Sequence, residues 1–443
     1  MREPKSRTPS QPGVGVVKHV LDGGLTVLID EMHDVRSLTV GVYVEAGSEG
    51  EPESRRGLSH FLEHVLFKRT RRRSNVAIAR AVDLLGGDVD AFTTKEYTGF
   101  YAHTLDARFP EALDLLSDVV LSGAYDAADV ENERGVILEE IGEANDNPED
   151  LVHETFVREL WRDQPLGAPI LGTERSIRAI SRGDLRAYHR ARYGSGRLIV
   201  AVAGRVNPDE AVERIARAFR RSGLRGRGRA GRPSGGRAKA PRASAHATLV
   251  RRPGLEQAHV CLGMPAPAFT SPRRFASSLL DVVLGGGMSS RLFQEVREKR
   301  GLAYSIGSSL HAYRLGGYQA ISAACATRNL ERLLEVTLAE LARLRRDGVR
   351  PRELRWAKEN LKGSLLLALE STVARMSAAA REELYFGRPS RPERWIEKVE
   401  AVTKEEVDAE ARRLLAGRGL SLSVVGNVPR LPFTAEDLRA RVV

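Results

Sequence analysis

Two histidines and a glutamate, His60, Glu63 and His64, fall within five consecutive positions of the segment GLSHFLEHVLFK, residues Gly57 to Lys68. In the same segment Leu58, Phe61, Leu62, Val65 and Leu66 recur at helical spacing. That spacing predicts a helix with one buried face. In such a helix His60 and His64 stand one turn apart on the same side. Two imidazoles so placed can hold one Zn²⁺ through ring nitrogens, at about 2.0–2.1 Å. Glu63 is then positioned to take a proton from a water that the metal activates. The competing reading is an ordinary amphipathic helix, but three ligand-type side chains crowded together favour the metal.

The remainder of the chain bounds what this helix can serve. It has 443 residues, 42% hydrophobic and 29% charged, the composition of an ordinary globular protein with room for two or more domains. The first residues, MREPKSRTPSQPG, contain no apolar stretch of the kind a secretory signal needs. No run reaches the roughly 18 apolar residues of a membrane span. Cys261 and Cys325 are the only cysteines, too few for a disulfide framework or a cysteine-based zinc site. These features point to the cytoplasm, with no membrane partner.

The net charge of +11 raises a nucleic-acid reading, but nine of the positive residues fall between Arg220 and Ala243 without an acid among them, and removing them leaves +2. That stretch is rich in Gly, Pro and Ser and lacks aromatics, the composition of a solvated linker. It supports at most an accessory role with polyanions, so nucleic acid is not expected as a partner.

Around the histidine helix the pattern reads as alternating strands and helices. Gly13 to Asp30 and Ser37 to Glu45 read as strands, and Asp88 to His103 as a hairpin rich in Thr, Tyr and Phe. Amphipathic helices follow over Arg108 to Leu121 and Asp126 to Asn145. Near the end of each half stands a similar stretch, LIVAVAGRVNP from Leu198 and LSLSVVGNVP from Leu420. The expected architecture is therefore α+β, two duplicated domains with a mixed sheet flanked by helices. Their limits are read as a disordered start at 1–12, a first domain at 13–219 with the zinc helix, an Arg/Gly-rich linker at 220–243, and a second domain of the same fold at 244–443.

A catalytic zinc takes three protein ligands and keeps one position open. The helix after Asp126 supplies carboxylates, with Glu133 and Glu140 two turns apart on one face and Val136 and Ile137 between them. A carboxylate on a partly buried face needs a cation or metal beside it. Glu131, Glu139 and Glu143 fit a solvated surface, and periodicity alone does not choose between Glu133 and Glu140.

His60-x-x-Glu63-His64 followed downstream by two glutamates seven residues apart resembles the pitrilysin/insulinase family of inverted zinc peptidases, which includes insulin-degrading enzyme and the mitochondrial processing peptidases. The resemblance runs over nearly the whole chain. It implies Zn²⁺, one per chain, on His60, His64 and Glu140, with Glu63 as general base and Glu133 behind the ligands as an orienting acid. It also implies that Asp90, Ala91, Phe92 and Thr93 form an edge strand that pairs with an extended peptide; Asp90 stands where the family usually has Asn. In the second half SRLFQEVREKRGLAYS, from Ser290, is similar to the family segment whose Arg and Tyr reach the active site, here Arg297 and Tyr304. By composition alone these two would be a solvated helix residue and a core strand residue. The implied activity is a zinc endopeptidase acting on extended peptides or unfolded segments. The implied assembly is half of a clamshell closed by a second chain, as a homodimer or a heterodimer with a related subunit. The alternative is a catalytically silent binding or structural subunit.

Overall fold

The computed structural model describes residues 15–21, 23–194, 197–224, 239–391 and 393–443; the expected disordered start, 1–12, and the central part of the expected linker, 225–238, lie outside these residues. The described chain forms two compact units. Strands β1 (Val17–Val20), β2 (Thr26–Glu31), β3 (Ser37–Val44), β4 (Asp88–Thr93), β5 (Thr98–Leu105) and β6 (Leu198–Gly204) build the first sheet. Strands β7 (Ala247–Arg251), β8 (Gln257–Ala266), β9 (Ser305–Ala312), β10 (Gly317–Ala326) and β11 (Ser421–Gly426) build the second.

The sheet orders are β1-β2-β6-β3-β5-β4 and β7-β11-β8-β10-β9. Without β1 the two orders correspond strand for strand. In each, one pair is parallel, β2 with β6 and β7 with β11, and the remaining neighbours are antiparallel. The two similar sequence stretches are β6 and β11, the equivalent strands. Both are buried along their whole length; β6 accordingly reads as a continuous apolar run, while β11 interposes Ser421 and Ser423. The α+β duplication expected from the sequence is thus present.

On one face of the first sheet lie α1 (Leu58–Leu66), α2 (Asn75–Leu85), α3 (Phe109–Leu121) and α4 (Ala127–Asp146). Leu62, Val65, Leu116 and Ile137 from these helices share a core with Val27, Val40 and Val42 of the sheet. The opposite face is covered by the helix Thr372–Phe386, whose Met376 and Ala380 pack on Leu28, Tyr43 and Ile199. In the second unit α5 (Pro148–Leu160) covers the corresponding face, with Phe156 and Leu160 against Cys261, Tyr318 and Val425.

The linear division at 13–219 and 244–443 is therefore redrawn by an exchange. Residues from Gly142 to Gly167 belong to the second unit, and the chain from Leu367 to just before Glu393 belongs to the first. Each sheet has two apolar faces, and each half of the chain supplies the cover for one face of the other sheet. A glycine makes room in each case. A Cβ on Gly41 of β3 would come within 2.5 Å of the Met376 sulfur, and one on Gly263 of β8 within 2.6 Å of the Phe156 ring. The helix Thr372–Phe386 was not among the expected elements, because its buried residues interrupt Met376, Ala380, Leu384 and Tyr385 with Thr372, Glu382 and Glu383.

Buried ion pairs fix that helix to its sheet. Arg375 donates to both oxygens of Asp30 at 2.6 Å, and Glu383 takes Lys18 at 2.7 Å and Arg197 at 2.6 Å. Asp30 is 2% exposed, so removing its partner leaves a charge in the core. Arg375→Met is expected to destabilise the chain by about 3–5 kcal/mol, while the double change Asp30→Asn/Arg375→Met should lose distinctly less. Denaturant unfolding of the three proteins measures this, and equal losses for the single and double variants would contradict it.

Candidate metal centre

Helix α1 is held at its start by unusual means. Gly57 sits at φ 90°, and a Cβ there would lie 2.6 Å from the Leu171 carbonyl oxygen, so only glycine is accommodated. The Glu51 carboxylate accepts from the backbone N–H groups of Gly57 at 2.7 Å and Ser59 at 2.5 Å. A carboxylate at a helix N-terminus satisfies orphan donors and complements the dipole. The Ser59 hydroxyl is hydrogen-bonded to Tyr188 at 2.8 Å. With Phe61, Leu62, Val65 and Leu66 all in the core, the polar side of α1 is aimed at α4 and β4.

The His60 and His64 rings lie 4.5 Å apart between centroids. His60 Nε2 is 3.8 Å from one Glu140 oxygen and His64 Nε2 is 3.6 Å from the other. One donor atom from each of the three residues falls within 4.8 Å of the others, a grouping found once among the described residues. Donors around a tetrahedral zinc at about 2.0–2.1 Å stand about 3.4 Å from one another, so the spacing suits that ion. Two nitrogens and a carboxylate oxygen are also the donor set of catalytic zinc. His60 Nδ1 and Glu140 Oε2 are buried without a hydrogen-bond partner, which a bound cation would remedy for the carboxylate. Burial, and then the neighbouring His64, pull the His60 pKa down to about 4. Its imidazole is thus neutral near pH 7, with a lone pair to offer.

On helix α4 the two glutamates stand in different surroundings. Glu133, Ile137 and Ile141 are buried, Glu139 is exposed and Glu140 is half-buried at the cluster. Glu133 accepts from His64 Nδ1 at 3.2 Å and pairs with Lys68 at 2.9 Å. A carboxylate on the far ring nitrogen orients a ligand histidine and sets its tautomer.

Glu63 is 8% exposed. One of its oxygens accepts from the Thr93 hydroxyl. Burial raises its carboxyl pKa, opposed by the Thr93 hydrogen bond and by His64. Thr93 ends β4, the edge strand of the first sheet. Asp90 accepts from the Ala91 N–H at 2.8 Å. Phe92 turns to the other face, edge-on to Tyr43 at 6.2 Å and Tyr97 at 6.1 Å. A cavity of about 260 Å³ opens beside Glu63 and His64, lined also by Phe67, Lys68, Val89 and Ala91.

Arg297 and Tyr304 are in the second unit. The Arg297 guanidinium lies 5.5 Å from the Tyr304 ring centroid and 4.7 Å from that of Phe293. Tyr304 is 80% exposed, so it is not the core strand residue its composition suggests. Three contributors escaped the sequence. Lys68, which the sequence shows only as the start of the basic run KRTRRR, pairs with Glu133. Arg73 of the same run pairs with Asp114 and with the fully buried Asp118. Glu51 caps α1 from six residues upstream of Gly57. No short-range pattern marks any of the three.

Comparison with known proteins identifies the family. The family described as Insulinase (Peptidase family M16) matches residues 26–174, and the one described as Peptidase M16 inactive domain matches residues 179–361. The chain belongs to peptidase family M16. Among its relatives, a Mycobacterium tuberculosis protein named an uncharacterized zinc protease is 42% identical, over 98% of this chain and 99% of its own. A Bacillus subtilis protein named uncharacterized zinc protease YmxG is 35% identical, over 94% and 100%. In three dimensions the chain is similar to a peptidase M16 inactive domain from Pseudomonas fluorescens, with TM-score 0.84 and 22% identity over 94% of this chain and 98% of that one. A Helicobacter pylori protease gives TM-score 0.84 and 21% identity over 93% and 99%. No helix among the described residues is long and apolar enough to cross a membrane.

Proposed function

We propose that the chain is a zinc-dependent endopeptidase that hydrolyses extended peptides or unfolded segments. The observation that carries this reading is the convergence of His60, His64 and Glu140 beside a buried Glu63 that Thr93 holds in place. His60, His64 and Glu140 would hold the ion, and Glu133 would orient His64. Zinc, when bound there, supplies Lewis-acid polarisation of the scissile carbonyl and a lowered pKa for water. Glu63 takes the proton of the attacking water and passes it to the leaving amine nitrogen. A carboxyl whose pKa is raised by burial holds that proton better than an exposed one does. Thr93 keeps one Glu63 oxygen fixed while the other moves the proton. The peptide lies extended along Asp90, Ala91 and Phe92, adding a strand at the open edge of β4. Tyr304 donates to the oxyanion, with Arg297 beside it on the substrate. The intact set of His60, Glu63, His64 and Glu140 favours this over a silent structural subunit.

The test is metal analysis of the purified chain together with cleavage of a fluorogenic peptide. One zinc per chain is expected, with activity lost on chelation and restored by zinc. A zinc-free protein, or activity indifferent to chelation, would overturn the reading.

The assembly proposed is a homodimer, or a pair with a related subunit, that encloses the peptide and brings Tyr304 of one chain to the zinc of the other; closed two-fold pairs are the commonest such solution. Tyr304→Phe should keep zinc and lower turnover by about 10²–10³-fold, the usual loss for one oxyanion donor. Mixing Glu63→Gln chains with Tyr304→Phe chains should recover activity, because one site of each mixed pair is intact. An active monomer by light scattering, or no recovery after confirmed exchange, would rule out sharing.

A further inference from the structure

The second unit contains a cavity of its own, about 300 Å³, between α5 and the open end of the β8-β10-β9 sheet. Its polar lining comes from Arg297, His153, His259, Glu149, Ser305 and Ser322. Arg297 stands on a turn that widens into a π-helix over Phe293–Glu298, a rare local form that is frequent at functional sites. Its guanidinium is stacked by Phe293 and Tyr304 at 4.7 and 5.5 Å. Its nearest carboxylate, Glu298, is 4.0 Å away, beyond hydrogen-bond reach. An arginine oriented by two rings, with no side-chain hydrogen bond among the described residues, is a fork waiting for a planar anion.

The rest of the lining narrows the choice. His153 is already committed, to Ser322 at 2.9 Å and to the Cys261 sulfur at 3.7 Å. Burial lowers the pKa of both His153 and His259, so both are neutral hydrogen-bonding groups near pH 7. His259 has no hydrogen-bond partner among the described residues and faces the Glu149 charge. The cavity thus offers a cation, a neutral imidazole and, from the first turn of α5, an anion. That combination fits a group carrying a carboxylate with a positive charge close by. The volume is at the small end for ligand sites, enough for a residue or two and too small for a folded partner.

We infer that this cavity receives the free carboxyl end of a peptide, with Arg297 on the terminal carboxylate and Glu149 favouring a basic terminal side chain. The peptide nature of the ligand rests on the peptidase reading; the site itself does not. Anchoring a free end would bias the chain towards short peptides.

Zinc-stripped full-length protein separates this site from the metal centre, which would itself attract carboxylates. Fluorescence anisotropy of an N-terminally labelled hexapeptide ending in Lys, as free acid and as amide, reads the binding. The acid is expected to bind at least tenfold tighter than the amide. Arg297→Met should erase that preference and Arg297→Lys retain part of it, with unfolding midpoints unchanged. Glu149→Gln should weaken the Lys-ending acid towards an Ala-ending one. Equal binding of acid and amide, or a preference untouched by Arg297→Met, would overturn the inference. Cleavage by the zinc-loaded wild type is scored separately, so an inactive chain that still prefers the acid refutes the peptidase reading and leaves this site standing.

Discussion

Replacing Glu63 by glutamine should leave zinc bound at one per chain and lower turnover by about 10²–10⁴-fold, the usual contribution of a positioned general base. The amide matches the carboxylate in shape and can still take the Thr93 hydroxyl, so the hairpin that carries β4 keeps its place. It cannot accept a proton. Because Glu63 adjoins the cluster without belonging to it, the measurement must report both quantities on the same sample. Zinc content by elemental analysis should be unchanged, and cleavage of a fluorogenic peptide should fall to near background. Thr93→Val, which removes the hydrogen bond that holds one Glu63 oxygen, should produce a smaller loss in the same direction. Wild-type turnover by Glu63→Gln at full zinc occupancy would end the assignment of Glu63 as the base.

Glu140→Gln should release most of the zinc, and Glu139→Gln should release none, although the two positions are adjacent. Glu139 is exposed, whereas Glu140 brings one oxygen within 3.8 Å of His60 and the other within 3.6 Å of His64. Exchanging a carboxylate for an amide removes the only negative charge in the donor set, so binding to a dication falls steeply. Glu133→Gln should weaken zinc by about 10–100-fold, as losses of orienting partners do, and so fall between the other two. Competition with a chromogenic chelator gives all three affinities. Similar values for Glu139→Gln and Glu140→Gln would mean that α4 presents a different face to α1.

How far the sequence reached can be judged from particular residues. His60, Glu63 and His64 were legible because their relation is set within one helical turn. The strand Leu198–Gly204 was legible because burial on both faces leaves an unbroken apolar run, and Ser37–Val44 because its residues alternate, although the structure buries both of its faces. Glu140 was legible only through resemblance, since both glutamates share a face and the distance to α1 is a tertiary quantity. Lys68 looked like one more residue of an exposed basic loop until Glu133 came opposite it at 2.9 Å.

What the sequence by itself determined was local: the turn of helix that brings two imidazoles together, the periodicity of the strands, and the repeat that marks two similar sheets. Only the tertiary structure decided which helix closes which sheet. Helix α5 and the helix Thr372–Phe386 are assigned to opposite halves of the chain from the sheets they cover. Periodicity records that a face is buried and is silent about the partner. The partners here are selected by matched volumes at Gly41 and Gly263 and by buried charges such as Asp30 and Arg375, which are 345 residues apart in the chain.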